Sequence, residues 1–342
     1  MKAVLVGLGM VADMHALSCL DSDKVTLHGI CARRQATAAA YAQKLLQSFG
    51  MEVRIYRDIA EIAADPEVDF VIIATPPSAR EALIAPLVEA GKPILLEKPV
   101  ARTLEEARKV VSICAGRVPL GMVFQHQMRA GSEKLGELMP LLGALHSVQI
   151  DVPWWRPQSY YDEPGRGTYA QDGGGVLLTQ AIHILELALS LTGPAARVQA
   201  MARTSATHKM EAEDFVAAGV EFANGAVGVI LATTANFPGA TESITLNCAQ
   251  GSAVLARGVL DIHWRDGRHG SFGAEDDGSG GGADPMAFKH GWHQAVIEDF
   301  VAAVLGGQAP RVTGQKALQV HALIEALIRS SSAGKMVEVA HV

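Results

Sequence analysis

The heptapeptide Ile94-Leu95-Leu96-Glu97-Lys98-Pro99-Val100 sets a carboxylate and an ammonium where an apolar run stops. A short continuous apolar run reads as a buried strand, and open parallel sheets bind ligands outside the carboxyl ends of their strands. Lys98 therefore stands where it can donate a hydrogen bond to a ligand oxygen, or stabilise negative charge developing there. Pro99 fixes the backbone, and a cis Lys98-Pro99 bond is expected to be accessible because X-Pro amides lose most of the trans preference. Glu97 has two readings, holding backbone or neutralising charge.

Near the N-terminus, "VLVGLGMVADMH" places Gly7, Gly9 and Ala12 in a G-x-G-x-x-A turn, with Met10 and Val11 between the last two. Gly7 permits the tight turn, Gly9 lets the backbone approach a pyrophosphate, and Ala12 allows close helix packing. The free N–H groups of the following helix face the phosphates. About 20 positions on, where an NAD-preferring turn offers an acid to the ribose hydroxyls, the chain has Ala32 and then Arg33 and Arg34. No carboxylate repels a 2'-phosphate there, and two guanidiniums attract one, which favours NADP over NAD. The alternatives are Arg33 stacked on adenine, or both arginines solvated.

The elements that must position these residues follow a recognisable grammar. "AVLVGLG", "VTLHGIC", "EVRIY", "VDFVIIAT", "PILLEK" and "VPLGMVF" alternate with helical stretches, as in a parallel doubly wound sheet. Pro86 is expected to kink or restart the helix of "SAREALIAPLVEAG". After about residue 122 the pattern changes. Two helical stretches precede the strand-like "ARVQAMARTS", "DFVAAGVEFA", "GAVGVILATT", "ESITLNCAQ" and "SAVLARGVLDI", with a hairpin signal at Asn224-Gly225. The expectation is an α/β Rossmann domain over 1–121 and an α+β domain over 122–342 with a large, mostly antiparallel sheet. The Gly- and Asp-rich stretch 266–285 reads as a mobile loop, and two helices close the chain.

The chain has 342 residues, more than one core usually organises, so two domains are expected, with a single barrel as the competing reading. A net charge of -7 argues against nucleic acid or an anionic membrane as main partner. No apolar run reaches the roughly 18 residues of a spanning helix, and Gly7 interrupts the N-terminal run too soon for a secretion signal, so a soluble cytoplasmic protein is expected. Cys19, Cys31, Cys114 and Cys248 form no C-x-x-C pair and read as buried reduced thiols. His290 and His293 have no carboxylate or thiol at ligand spacing, so no metal is expected.

With the glycine turn, "IATPPSAR", "EKP" and "GRGTYAQDGGGVLLTQAIH" in view, the chain resembles the Gfo/Idh/MocA family of oxidoreductases over nearly its whole length. The resemblance implies NAD or NADP held along Thr75-Pro76-Pro77 and Glu97 as well as the glycine turn. It also implies that Lys98 sits between nicotinamide and substrate. In the family a helix carries Asp or Asn four positions before a histidine; here the pair is Thr179 and His183. Spacing of four puts both on one helix face. His183 becomes the candidate base for a hydroxyl proton, sharing that role with Lys98, while Thr179 can only hydrogen-bond where an Asp would lend charge. The implied substrate is a polyhydroxylated small molecule, a sugar, cyclitol or derivative, including uronate or nucleotide-linked sugars. A tightly bound, recycled cofactor serving sugar-sugar oxidoreduction or glycoside cleavage is the second reading, and a non-catalytic nucleotide sensor the third.

Among substrate candidates, Arg166 suits a carboxylate or phosphate. Trp154, with Trp155, Tyr160 and Tyr161, suits either a sugar face or a core cluster. Asp172 lies before three glycines, where it caps the next helix or meets substrate. Both faces of the strand Val227-Gly228-Val229-Ile230-Leu231-Ala232 are apolar or small, so a homodimer or homotetramer joined through the C-terminal sheet is expected.

Overall fold

A computed structural model describes residues 1–274 and 289–342. By its contacts the chain divides into two compact units: Met1–Ala101, Glu105–Gln125 and Lys289–Ala317 form the first, and the remainder the second. The units do not follow a single cut near 121/122: Arg102–Leu104 group with the second unit, the first continues to Gln125, and Lys289–Ala317 return to it. The helix Gly291–Gly306 groups with the first unit, where Phe300 packs 5.5 Å from Phe70 and Cys19 and Ala16 of the helix Ala12–Leu20 are buried.

The first unit holds six parallel strands: β1 (Lys2–Val6), β2 (Thr26–Cys31), β3 (Arg54–Tyr56), β4 (Phe70–Ile73), β5 (Ile94–Glu97) and β6 (Leu120–Val123). Their order is β3-β2-β1-β4-β5-β6, so the winding reverses between β1 and β4. Every residue of β4, β5 and β6 is buried, the consequence of covering a parallel sheet on both faces. Gly50 ends the helix Gln35–Phe49 at φ +66, its N–H meeting the carbonyls of Leu45 and Leu46. Pro86 does not restart its helix, which runs from Arg80 to Glu89. Proline deletes one intrahelical donor, and the Ala90 N–H still reaches the Pro86 carbonyl at 3.1 Å.

The second unit is built on β7 (Leu145–Pro153), β8 (Ala195–Arg203), β9 (Phe215–Phe222), β10 (Val227–Thr233), β11 (Ser243–Cys248), β12 (Gly251–Ala256), β13 (Val259–Trp264), β14 (His269–Phe272) and β15 (Val337–Glu338). The nine strands run β14-β13-β12-β11-β7-β10-β9-β8-β15, all pairs antiparallel except β7 with β10. Asn224-Gly225 does turn β9 into β10, with Gly225 at φ +87. One face of β10 is buried through Ile230 and Ala232, while Val227 and Val229 are each 53% exposed on the other. Part of the stretch read as a mobile loop is ordered: His269–Phe272 pairs with β13. Its residues 275–285 lie outside the described residues.

Candidate active site

In the first unit the glycine turn follows β1, at the point where the strand order reverses. Gly7 has φ +98, and a Cβ there would stand 2.7 Å from the Ala74 carbonyl carbon, so packing against the end of β4 itself demands glycine. Gly9 differs: no protein atom lies within 4 Å of where its Cβ would be. Protein packing alone therefore does not require glycine at this position. Ala12 is fully buried and its N–H reaches the Gly9 carbonyl at 3.1 Å; Met10 is exposed and Val11 half-buried. Thr75, just after β4, has a buried hydroxyl without a hydrogen-bond partner among the described residues, and Pro76-Pro77 open a short 3₁₀ turn. A buried unsatisfied hydroxyl requires an explanation, and a bound ligand supplies one. An open Gly9, an orphaned Thr75 hydroxyl and a helix N-terminus together fit a dinucleotide. Arg33 and Arg34 are exposed beyond β2, and Arg34 edges a shallow cavity with Thr37, Tyr41 and Lys44; Ala32 is half-buried.

Lys98 follows β5, half-buried, and its bond to Pro99 is cis. The turn around it is tied down from below. The buried Arg80 guanidinium donates to the Thr75 carbonyl at 2.9 Å and to the Glu97 carbonyl, linking the segments that follow β4 and β5. Glu97 Oε1 lies 2.9 Å from His15 Nε2 and 3.8 Å from His293 Nε2, while Oε2 accepts the Lys98 N–H at 3.1 Å. Burial pushes the Glu97 carboxyl up, yet the His15 hydrogen bond and the charges of His15, His293 and Lys98 outweigh it and hold the pKa near about 2. Glu97 is therefore ionised, and the His15 nitrogen facing it must be the donor.

In the second unit a π-helical turn, Leu177–Ala181, leads into the helix Ile182–Thr192. Such turns are rare and recur at functional sites. Thr179 sits in this turn, and His183 is 6% exposed on the helix after it. The helix start is capped by Glu213, whose carboxylate accepts the N–H groups of Gly175 and Leu177 at 3.1 Å each. Asp172, expected as the cap, accepts instead from the Gly167 N–H at 2.9 Å. The glycine run explains the exchange: a Cβ on Gly175 would fall 1.8 Å from the Glu213 carbonyl oxygen, so the chain can press against Glu213. Thr179 Oγ1 lies 2.7 Å from the Gly175 carbonyl and also meets Gln180 Oε1; Gln180 Nε2 reaches the Tyr160 hydroxyl at 3.4 Å. The Arg166 guanidinium stacks 4.1 Å above the Tyr160 ring. Thr179, Gln180, Tyr160 and Arg166 are thus neighbours. Trp154 is not on an open face: it is 5% exposed and donates to Glu242 at 3.1 Å, which makes it core.

Several residues escaped the sequence reading. His126 places its ring centroid 4.9 Å from that of His183, and its Nε2 is 3.6 Å from Glu242 Oε1. Glu242 also pairs with Arg129 at 2.8 Å; burial pushes its pKa up, but His126 and Arg129 hold it near about 2. Gln127 donates to Glu186 at 2.7 Å, on the same helix as His183. The polar run Gln125-His126-Gln127 right after an apolar strand was the available signal. For His293 the missing carboxylate is Glu97, on another element, which spacing along the chain cannot reveal. His15, Glu97 and His293 bring their ligand atoms within 4.8 Å of one another. All four cysteines are buried and free, and no described helix is long and apolar enough to cross a membrane.

A Rossmann unit with a lysine closing its fifth strand, and a second unit with a large mixed sheet and a buried histidine helix, are the two parts of a nicotinamide-dependent oxidoreductase. Residues 1–123 match the oxidoreductase family with NAD-binding Rossmann fold, and residues 141–254 match the GFO/IDH/MocA C-terminal domain. The chain belongs to the GFO/IDH/MocA family. It is 27% identical to the D-apiose dehydrogenase of Paraburkholderia graminis, over 98% of this chain and 89% of that one. It is 28% identical to the rhizopine catabolism protein MocA of Rhizobium meliloti, over 55% and 56%. The WlbA dehydrogenase of Bordetella pertussis, solved with NADH and UDP-GlcNAcA, shares the fold at a TM-score of 0.82 and 24% identity, covering 100% of this chain and 98% of that one. Levoglucosan dehydrogenase, solved with NADH and L-sorbose, does so at 0.83 and 22%, over 100% and 99%.

Proposed function

We propose that this oxidoreductase removes hydride from a secondary alcohol of a sugar, cyclitol or related polyhydroxylated compound. The observation that carries the reading is Lys98 at the carboxyl end of β5, its backbone bound by the locked Glu97 carboxylate, in a family of dehydrogenases. When bound, the nicotinamide supplies the hydride acceptor. Lys98 donates to the substrate oxygen and stabilises the alkoxide as it forms. His183 takes the hydroxyl proton, with Thr179 as a hydrogen-bonding neighbour one turn earlier. Arg166, braced on Tyr160, offers a guanidinium to an anionic substituent. Trp154 and Asp172, both engaged with protein groups, serve as framework for these residues.

NADP is the favoured cofactor, supported by Ala32 where an acid would repel the 2'-phosphate and by the exposed Arg33 and Arg34. The exposed apolar face of β10, with Val227 and Val229, supports a homodimer or dimer of dimers through the second sheet, which sedimentation at micromolar concentration tests. The functional test is a scan of NAD⁺ and NADP⁺ reduction against cyclic polyols, including D-apiose, myo-inositol and levoglucosan. Reduction with at least one of them supports the reading; a protein that binds cofactor but reduces it with none across the panel contradicts it.

A further inference from the structure

We propose that His208 and Asp214, a buried pair in the second unit, are positioning residues that hold the segment carrying Tyr160 and, through its ring, set the Arg166 guanidinium for substrate. The inference rests on the reading of Arg166 as a substrate-binding residue and deepens it.

The pair is fixed before it fixes anything else. His208 lies in the link between β8 and β9 and is 5% exposed, while Asp214 directly precedes β9 and is fully buried. His208 Nδ1 stands 2.7 Å from Asp214 Oδ2, and Nε2 stands 2.8 Å from the Arg156 carbonyl oxygen. A carbonyl only accepts, so Nε2 bears a proton and donates it. The Ser205 N–H donates to Asp214 Oδ1 and the Ser205 hydroxyl to Oδ2, each at 2.7 Å, which sets the carboxyl plane. Turning the imidazole over would give up both of its bonds at once.

What the pair holds is the chain from Trp154 to Tyr161. The N–H groups of Trp154 and Arg156 donate to the Thr233 and Thr234 carbonyls at 2.9 Å each, and the Lys209 N–H donates to Gln158 Oε1 at 2.8 Å. Gln158 opens the helix Gln158–Tyr161, only four residues long. A helix that short has no stability of its own, so its orientation comes from these ties. The Tyr161 ring lies 4.8 Å from the His208 ring, and its hydroxyl is 2.6 Å from Thr234 Oγ1. Tyr160 meets Tyr161 edge to face at 5.0 Å and carries the Arg166 guanidinium 4.1 Å above its own ring. His208 thus reaches Arg166 through two stacked tyrosines.

Removing the imidazole leaves a buried carboxylate and a buried carbonyl without their donor, and the segment moves to find others. Arg166 then loses the platform that aims it. Because Arg166 binds rather than reacts, the loss should fall on KM and spare kcat.

The test compares variants with the best polyol of the panel and adds a reading that needs no substrate. His208→Leu, which removes both hydrogen bonds, should raise KM by about tenfold or more and leave kcat within about threefold. Amide exchange over 154–168, followed by mass spectrometry, should quicken in the same variant. Asp214→Asn should stay nearer to wild type in both readings, because its amide donates to Nδ1 while Nε2 still donates to Arg156. His208→Gln loses the bond to Asp214 alone; it should move both readings less, and it replaces the leucine variant if that one does not fold. The KM increases of His208→Leu and Arg166→Gln should not multiply in the double variant, since one residue acts through the other. An unchanged KM in the folded His208 variant overturns the proposal, even where the unfolding temperature drops, and so do unchanged exchange and increases that multiply in full. If Arg166→Gln alone leaves KM at the wild-type value, the reading of Arg166 fails and takes the proposal with it, whatever the exchange shows.

Discussion

Two glycines two residues apart are expected to fail in opposite ways. Gly7→Ala forces an alanine into φ +98 and drives its Cβ to 2.7 Å from the Ala74 carbonyl carbon and 2.8 Å from the Thr75 nitrogen. The left-handed backbone costs roughly 1–2 kcal/mol and the overlap with backbone about 1–3 more. A unit of this size loses about 2–4 °C of Tm per kcal/mol, so the loss should be on the order of 5–15 °C. Gly9→Ala meets no protein atom within 4 Å, and Gly9 is absent from the residues with positive φ. Its stability should change by less than about 1 kcal/mol, in either direction. What it should lose is cofactor, because a methyl group now stands where the pyrophosphate approaches. A tenfold weaker Kd corresponds to about 1.4 kcal/mol. Thermal unfolding with and without saturating NADPH separates the two effects, since ligand raises Tm by mass action. Isothermal titration gives Kd directly. Gly9→Ala binding NADPH and NADH as tightly as wild type would refute the reasoning, as would Gly7→Ala unfolding at the wild-type temperature.

Ala32→Asp should move preference from NADP toward NAD, since a carboxylate repels the 2'-phosphate and accepts from the ribose hydroxyl; a wild type that already prefers NAD contradicts this reading. His183→Asn should flatten the acid limb of the pH–rate profile, and an unchanged limb returns the proton to Lys98. Stability should fall in acid for a definite reason. Glu97 and Glu242 have folded pKa values near about 2, below the roughly 4.3 of an unfolded glutamate. The unfolded chain thus binds protons first, so each contribution is present above about pH 4.3 and is lost as pH falls toward 2. The loss is on the order of 3 kcal/mol per group. Glu242→Gln should be less stable at neutral pH and depend less on acid, and chemical denaturation between pH 2 and 7 checks both.

The parallel sheet was legible because β4, β5 and β6 are buried on both faces and therefore read as unbroken apolar runs. The glycine turn was legible because Gly7 answers a backbone demand that no other residue meets. What stayed hidden was pairing between distant elements. Nothing near residue 97 announces His15 or His293, and nothing near residue 126 announces Glu242. The cap on the histidine helix went to Glu213 rather than to Asp172 for the same reason: a residue from before β9 reaches it through a gap that Gly175 leaves. The return of 289–317 to the first unit was equally invisible, since an amphipathic helix carries no mark of which sheet it will cover. The apolar strands of the second sheet did show their two-faced character, and the structure divides it: Ile230 and Ala232 inward, Val227 and Val229 outward.

The account turns on Lys98, and one comparison tests it most directly: cofactor affinity and turnover of Lys98→Met beside wild type, with the best polyol of the panel. Removing a group that stabilises charge only as the alkoxide forms should leave the cofactor Kd within about twofold and lower kcat by roughly two powers of ten or more. Lys98→Met turning over near the wild-type rate, or losing activity only because it no longer binds cofactor, would contradict the account.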